Sequence, residues 1–227
     1  MDYLLKPSEV RVLGSLIEKQ IITPDYYPLT INSLIAACNQ RTSRNPVTDY
    51  EYEEVVEALD GLQEKGFVFK VNIAGSRAEK FRHRMDDFAK LSNKAYALLC
   101  ILMLRGPQTV GELRQRSERL YVFRDLTETE ETLRGLMECE EPEPLVAELP
   151  LEPGRKEKRY VHLFSDIPAV RETEAIVALQ GVSPSQVKEK MEIMELAMEE
   201  LRTAQKTMSE EIQGLKKELE SFKQQFE

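Results

Sequence analysis

The sequence predicts an α+β fold, mainly helical with small β-hairpins, and three observations carry that expectation. Two stretches about 80 residues apart present the same order of apolar patterns. Each stretch ends in two short alternating runs joined by a glycine-containing turn, which is the pattern of a hairpin. Residues 187–226 then hold one unbroken heptad pattern.

The first stretch opens with Val10, Leu13 and Ile17 at helical spacing, and Pro7 is tolerated in the first turn because its missing N–H has no helical partner there. A second helix fits Thr30 to Cys38, with Thr30 as its cap and Ile31, Leu34, Ile35 and Cys38 on one face. A third runs from about Asp49 to Lys65, turns Val55, Leu59 and Leu62 inward and stops at Gly66. Phe67, Phe69, Val71 and Ile73 are expected to share the inward face of a strand. Ala74-Gly75-Ser76 make the turn, and Glu79 to Met85 return.

The second stretch repeats this order. Ala95 to Leu104 form a helix stopped by Gly106-Pro107, Thr109 and Glu112 read as a capping box, and Thr127 with Glu130 reads as another. Leu133 and Leu136 stand where Leu59 and Leu62 stand. Leu145 to Leu149 form a strand, and Tyr160 to Phe164 return after a Pro150 to Lys158 turn. Thr30 and Thr109, Leu34 and Leu113, Gly75 and Gly154, Phe81 and Tyr160, and His83 and His162 all match at one offset of 79. Three helices and a hairpin is the element order of a winged helix, so the expectation is two winged-helix domains in tandem, residues 1–88 and 89–165. A linker with a short helix over residues 166–184 and a C-terminal coiled coil over 185–227 follow.

The stretch Thr23-Pro24-Asp25-Tyr26-Tyr27-Pro28-Leu29-Thr30, with Asn32, Ala37-Cys38-Asn39-Gln40 and Arg44-Asn45-Pro46-Val47, resembles the signature of the YceH family of bacterial proteins, a domain family of unknown function. Ile22 and Ser43 stand where many members would carry Thr and Asn. The resemblance extends to about residue 165 and implies tandem winged-helix architecture without an activity. Within the signature, Asn32, Asn39, Gln40, Arg44 and Asn45 are expected to be mainly structural, because amides at the end of a helix satisfy its orphan backbone groups.

With Met191 as position a, the seam reads Val187, Met191, Met194, Met198, Leu201, Gln205, Met208, Ile212, Leu215, Leu219, Phe222 and Phe226, in which Gln205 alone is polar. So narrow a stripe suits a coiled coil better than packing on a globular core. A parallel pairing sets Lys190 by Glu195, Glu211 by Lys216 and Glu218 by Lys223, so a parallel homodimer is expected.

The 227 residues carry 31 Lys+Arg against 40 Asp+Glu, a formal charge of −9. The longest apolar run ends at Arg105-Gly106-Pro107, far short of a bilayer span, and no leader follows Met1, so a cytoplasmic protein without membrane contact is expected. Three scattered cysteines form no C-x-x-C pair, and no phosphate-binding glycine loop is present. Cys139 sits among Glu138, Glu140 and Glu141, which suppress a thiolate. His83 and His162 read as two half-buried rings placed by repeat symmetry rather than as metal ligands. No catalytic residue, metal or cofactor is expected, and the chain reads as non-enzymatic.

Both third helices open with carboxylates, Asp49-Tyr50-Glu51-Tyr52-Glu53-Glu54 and Glu128-Thr129-Glu130-Glu131, which would repel phosphates. Positive charge gathers instead at Arg41 and Arg44, at Arg77, Lys80, Arg82 and Arg84 of the first hairpin, and at Arg155, Lys156, Lys158 and Arg159 of the second. Two readings follow. In one, a dimeric regulator contacts duplex DNA through its wings. About four phosphates per protomer would then give a log–log salt slope near −7 for the dimer, at roughly −0.9 per contact. In the other, the acidic winged helices are an adaptor for a protein partner. Residues 1–88, 89–183 and 184–227 each carry −3, so no segment has the basic footprint of a strong nucleic-acid binder, and DNA binding leads on the fold alone.

Overall fold

The computed structural model of the chain describes residues 4–71, 78–139, 143–151, 154–166 and 205. The chain divides into two units, Met1–Thr173 and Glu174–Glu227, and the described residues other than Gln205 belong to the first. The expected linker helix, the heptads of residues 187–226 and Arg77 lie outside the described residues, apart from Gln205, which is helical and exposed.

Helix α1 (Pro7–Ile22) begins at its proline, and Glu9 accepts the Lys6 N–H at 2.7 Å. Residues 9–18 are buried on every side, so α1 is an interior helix. Strand β1 (Leu29–Thr30) leads into α2 (Ile31–Cys38), where the Ser33 N–H donates to Thr30 Oγ1 at 3.3 Å. Helix α3 (Tyr52–Glu64) starts three residues later than the composition predicts, because Asn39 holds Tyr50 in the preceding loop; Glu51 and Glu54 then form its capping box.

Strands β2 (Val68–Val71) and β3 (Lys80–His83) complete a three-stranded antiparallel sheet in the order β1-β3-β2. Val68 stands opposite His83 and Lys70 opposite Phe81, so the phase of β2 is one residue from that expected. A one-residue slip exchanges the faces of a strand. Phe69 and Val71 therefore share the outer face with Arg82 and Lys80, while Phe67, just before the strand, is buried.

The short helix α4 (Met85–Phe88) connects to α5 (Asn93–Arg105), capped by Ser92 and ended by Gly106 at φ 71°, a conformation suited to glycine. Helix α6 (Val110–Arg116) carries the expected Thr109–Glu112 capping box. Helix α7 (Leu126–Met137) is capped by Asp125, whose carboxylate accepts the Glu128 N–H at 2.8 Å, and not by the expected Thr127–Glu130 pair, which lies inside the helix. Strands β4 (Val146–Glu148) and β5 (Tyr160–His162) pair antiparallel. The counterpart of β1 is a single bridge between Gln108 and Tyr160, at the offset of 79 that relates it to the Leu29–Phe81 pair.

The two repeats, separable in sequence near residue 88, share one core. Helices α1 and α5 pack together at Gly14, where a Cβ would stand 3.0 Å from Leu104 and 3.1 Å from Met103, so the glycine permits the close approach. The Leu5 N–H donates to the Phe164 carbonyl at 2.7 Å, and Phe67 meets Phe88 and Phe164 at ring distances of 5.0 and 5.9 Å.

Candidate interaction surfaces

The polar signature builds an internal brace. Arg44, whose side chain is fully buried, donates to Glu18 at 2.6 Å and to the Ala37 carbonyl at 2.7 Å. Arg11 donates to the carbonyls of Cys38 and Pro46 at 3.1 and 2.6 Å, so two guanidiniums satisfy the C-terminal end of α2. Arg44 is thus unavailable to a phosphate, which removes it from the expected contact set: its charge is neutralised and enclosed. Asn39 donates to the Tyr50 carbonyl and accepts the Tyr50 N–H, both at 2.8 Å. The Asn45 N–H donates to the Leu104 carbonyl at 2.9 Å, and its amide lies 3.4 Å from the Arg105 carbonyl, so a loop of the first repeat closes the last turn of α5 in the second. Asn32 is exposed and Gln40 half-buried. The part played by Arg11 and Glu18 went unread in the sequence; the available signal was their spacing of seven, which puts both on one face of α1.

The remaining hairpin cations differ between repeats. On the first, the Arg82 and Arg84 guanidiniums lie over the Phe69 ring at 5.3 and 5.7 Å, and both side chains are exposed. Arg84 also pairs with Asp87 at 2.8 Å, and Lys80 is half-buried. On the second, Lys158 pairs with Glu148 at 2.6 Å, and Arg159 binds the Pro107 carbonyl at 2.7 Å and Glu112 at 3.2 Å. Arg155, Lys156 and the loop residue Arg41 are exposed. The two wings expected to act alike are unequal, because the carboxylates of β4 and α6 engage two cations of the second.

The starts of the third helices present a different surface. Among the described residues, seven large apolar side chains are exposed, and four of them gather at the starts of the third helices. Val47 (56% exposed) and Tyr52 (50%) flank the start of α3, and Val122 (74%) and Leu126 (47%) flank the start of α7; Tyr52 and Leu126 are each the first residue of their helix. Asp49 and Glu53 border the first pair, and Glu130 and Glu131 extend from the second; all four carboxylates are exposed and without an ion pair among the described residues. Both loops are held in place, the first by Asn39 and by Arg11 on Pro46, the second by buried Phe123 against Tyr121 at 4.8 Å and by Glu128, which accepts the Arg124 N–H at 3.0 Å. These apolar pairs were missed in the sequence, because Tyr52 and Leu126 continue the inward spacing of Val55, Leu59 and Leu62 and of Thr129, Leu133 and Leu136, while Val47 and Val122 lie in the preceding loops.

His83 and His162 are buried, and burial lowers each pKa to about 4, so both rings are neutral near pH 7. Burial pushes the Cys38 thiol up to about 11 and the Cys100 thiol higher still. No group of His, Cys, Asp and Glu able to hold a metal occurs among the described residues, and none of their helices is long and apolar enough to cross a membrane.

The family model described as "Protein of unknown function, DUF480" matches residues 5–155. A "UPF0502 protein" of Geobacter metallireducens is 49% identical over 181 residues, covering 80% of this chain and 81% of that one. Another, from Geobacter sulfurreducens, is 44% identical over 199 residues, with 88% and 90% covered. A third, from Geotalea uraniireducens, is 42% identical over 234 residues and covers both chains in full.

Proposed function

Since the chain belongs to the DUF480 family, whose description assigns no activity, we propose a function from its own surfaces: a non-enzymatic adaptor of two winged-helix units that docks protein segments at the starts of its third helices. The observation that carries this reading is the recurrence of an exposed apolar residue at the first position of each third helix, Tyr52 and Leu126, with another in the loop just before it, Val47 and Val122. The winged-helix reading itself is supported by the repeated element order and by the matching Leu29–Phe81 and Gln108–Tyr160 bridges. In DNA-binding members of that architecture the third helix enters the major groove. Here its first turn offers carboxylates and apolar groups, which fit a protein segment that is apolar and basic and oppose a phosphate backbone. The acidic borders equally oppose a second copy of these faces.

A second reading, phosphate contact through the first hairpin, rests on Arg82 and Arg84, both held over Phe69. With Lys80 they make about three contacts per protomer, so a dimer's log–log salt slope on duplex DNA should be near −5, shallower than the two-wing expectation. The heptads of residues 187–226 support a parallel homodimer, and sedimentation of the full chain tests that part: a monomer overturns it. Parallel titrations of a labelled duplex and a labelled amphipathic Leu/Lys peptide separate the two readings. The adaptor predicts peptide binding that tolerates K80A/R82A/R84A; binding of the duplex alone, abolished by that triple change, gives the function to the hairpin.

A further inference from the structure

A cleft of about 130 Å³ opens between α1, the end of β3, α4 and the start of α5, where the first repeat meets the second. Its apolar side is Ile17, Ile21 and Leu91, and its polar side is Gln20, His83, Asp86, Asn93 and Tyr96. Gln20 Oε1 is buried with no hydrogen-bond partner. A buried acceptor left unpaired is unfavourable and calls for a donor. The Tyr96 hydroxyl donates to Asp86 Oδ1 at 2.8 Å, which spends its proton and leaves its oxygen as an acceptor. Asp86 brings a carboxylate, and no Lys or Arg lines the cleft. His83 supplies no opposing charge: its Nδ1 accepts the Met85 N–H at 3.2 Å, and the buried ring is neutral.

We propose that this cleft binds the head of a primary alkylammonium group, with Gln20, Asp86 and Tyr96 accepting its three N–H bonds and Ile17, Ile21 and Leu91 covering its alkyl chain. The count of groups selects the chemistry. A primary ammonium has three donors and no acceptor. The cleft offers it Gln20 Oε1, the Asp86 carboxylate and the Tyr96 oxygen as acceptors, with one negative charge, beside the Asn93 amide and the His83 Nε2–H, which need no partner from the ligand's nitrogen. A quaternary ammonium has no N–H for Gln20, and an anion would face Asp86. The volume sets the size, because a cavity of roughly 150 Å³ holds benzene, so about five or six heavy atoms fit. That size matches a free short-chain amine and also the aminobutyl side chain of a lysine presented by a protein partner.

The test uses the full chain labelled at isoleucine δ1 methyls, titrated with n-butylammonium and followed by NMR. The methyls of Ile17 and Ile21 should shift saturably, and 1-butanol, of the same length without charge, should leave them unmoved. Asp86→Asn and Gln20→Leu should each weaken binding roughly tenfold or more while the remaining isoleucine signals keep their native positions. Nα-acetyl-lysine N-methylamide separates the sources: binding equal to that of butylammonium supports a partner's lysine, and exclusion of the larger probe supports a free amine. Equal shifts with 1-butanol, unchanged affinity in Asp86→Asn, or motionless Ile17 and Ile21 methyls overturn the assignment.

Discussion

Arg44 and Glu18 form a buried pair, Nη2 to Oε2 at 2.6 Å, that ties the loop after α2 to the middle of α1. Removing one partner leaves the other charged and enclosed, so Arg44→Leu should cost about 3–5 kcal/mol, measured by urea unfolding. Glu18→Gln with Arg44→Leu should cost less than the two single changes added together. A loss below about 1 kcal/mol in Arg44→Leu would show that the guanidinium is solvated in solution.

Asn39 and Asn45 make separate joints. Asn39→Ala removes both amide bonds to Tyr50 and should cost about 1–3 kcal/mol. Asn45→Ala removes only a long side-chain contact, because its backbone N–H still reaches Leu104, and should cost under about 1 kcal/mol. The reverse order in melting temperature would contradict these roles.

Elements with one strong local signal were legible in the sequence: the Gly106-Pro107 stop, the Thr109–Glu112 box and the Thr30 cap all stand as read. The phase of β2 was not, because Phe67-Val68-Phe69-Lys70-Val71 is apolar at four of five positions and fits either face. Asp125 and Thr127 compete as caps within one turn, and only the fold decides between them. Among the site residues, Arg44 reads both as a structural member of the signature and as a cation open to phosphate; the sequence does not choose between them, since its partner Glu18 lies 26 positions away inside an otherwise buried helix.

Acid should unfold the protein through its histidines. A folded pKa of about 4 lies below the ordinary 6.5, so each neutral ring contributes stability that is fully present above pH 6.5 and is lost progressively as pH falls toward 4. At 1.36 kcal/mol per pKa unit this amounts to about 3 kcal/mol per histidine. Glu18 adds a loss at lower pH: burial raises its carboxyl pKa, but the hydrogen bonds and charges of Arg44 and Lys19 together outweigh burial and hold it below the ordinary value. NMR titration of native protein should find neither imidazole titrating above pH 5; a midpoint near 6.5 would place that ring in solvent.

Thiol labelling should divide the cysteines. Cys38 and Cys100 are buried with raised pKa values, whereas Cys139 is half-exposed. A thiol reagent should modify one cysteine per native chain at pH 8 and all three in urea. Rapid modification of Cys100 in native protein would mean that the α1–α5 contact opens readily.

The most direct test of the docking account is fluorescence anisotropy of a labelled amphipathic Leu/Lys peptide titrated with the full chain and with V47S/Y52S/V122S/L126S. These four side chains are exposed, so the quadruple variant should keep its melting temperature within a few degrees and lose peptide affinity about tenfold or more. Removing one apolar pair should leave the other able to bind, with an intermediate loss. Peptide affinity unchanged in the quadruple variant would contradict docking at the third helices.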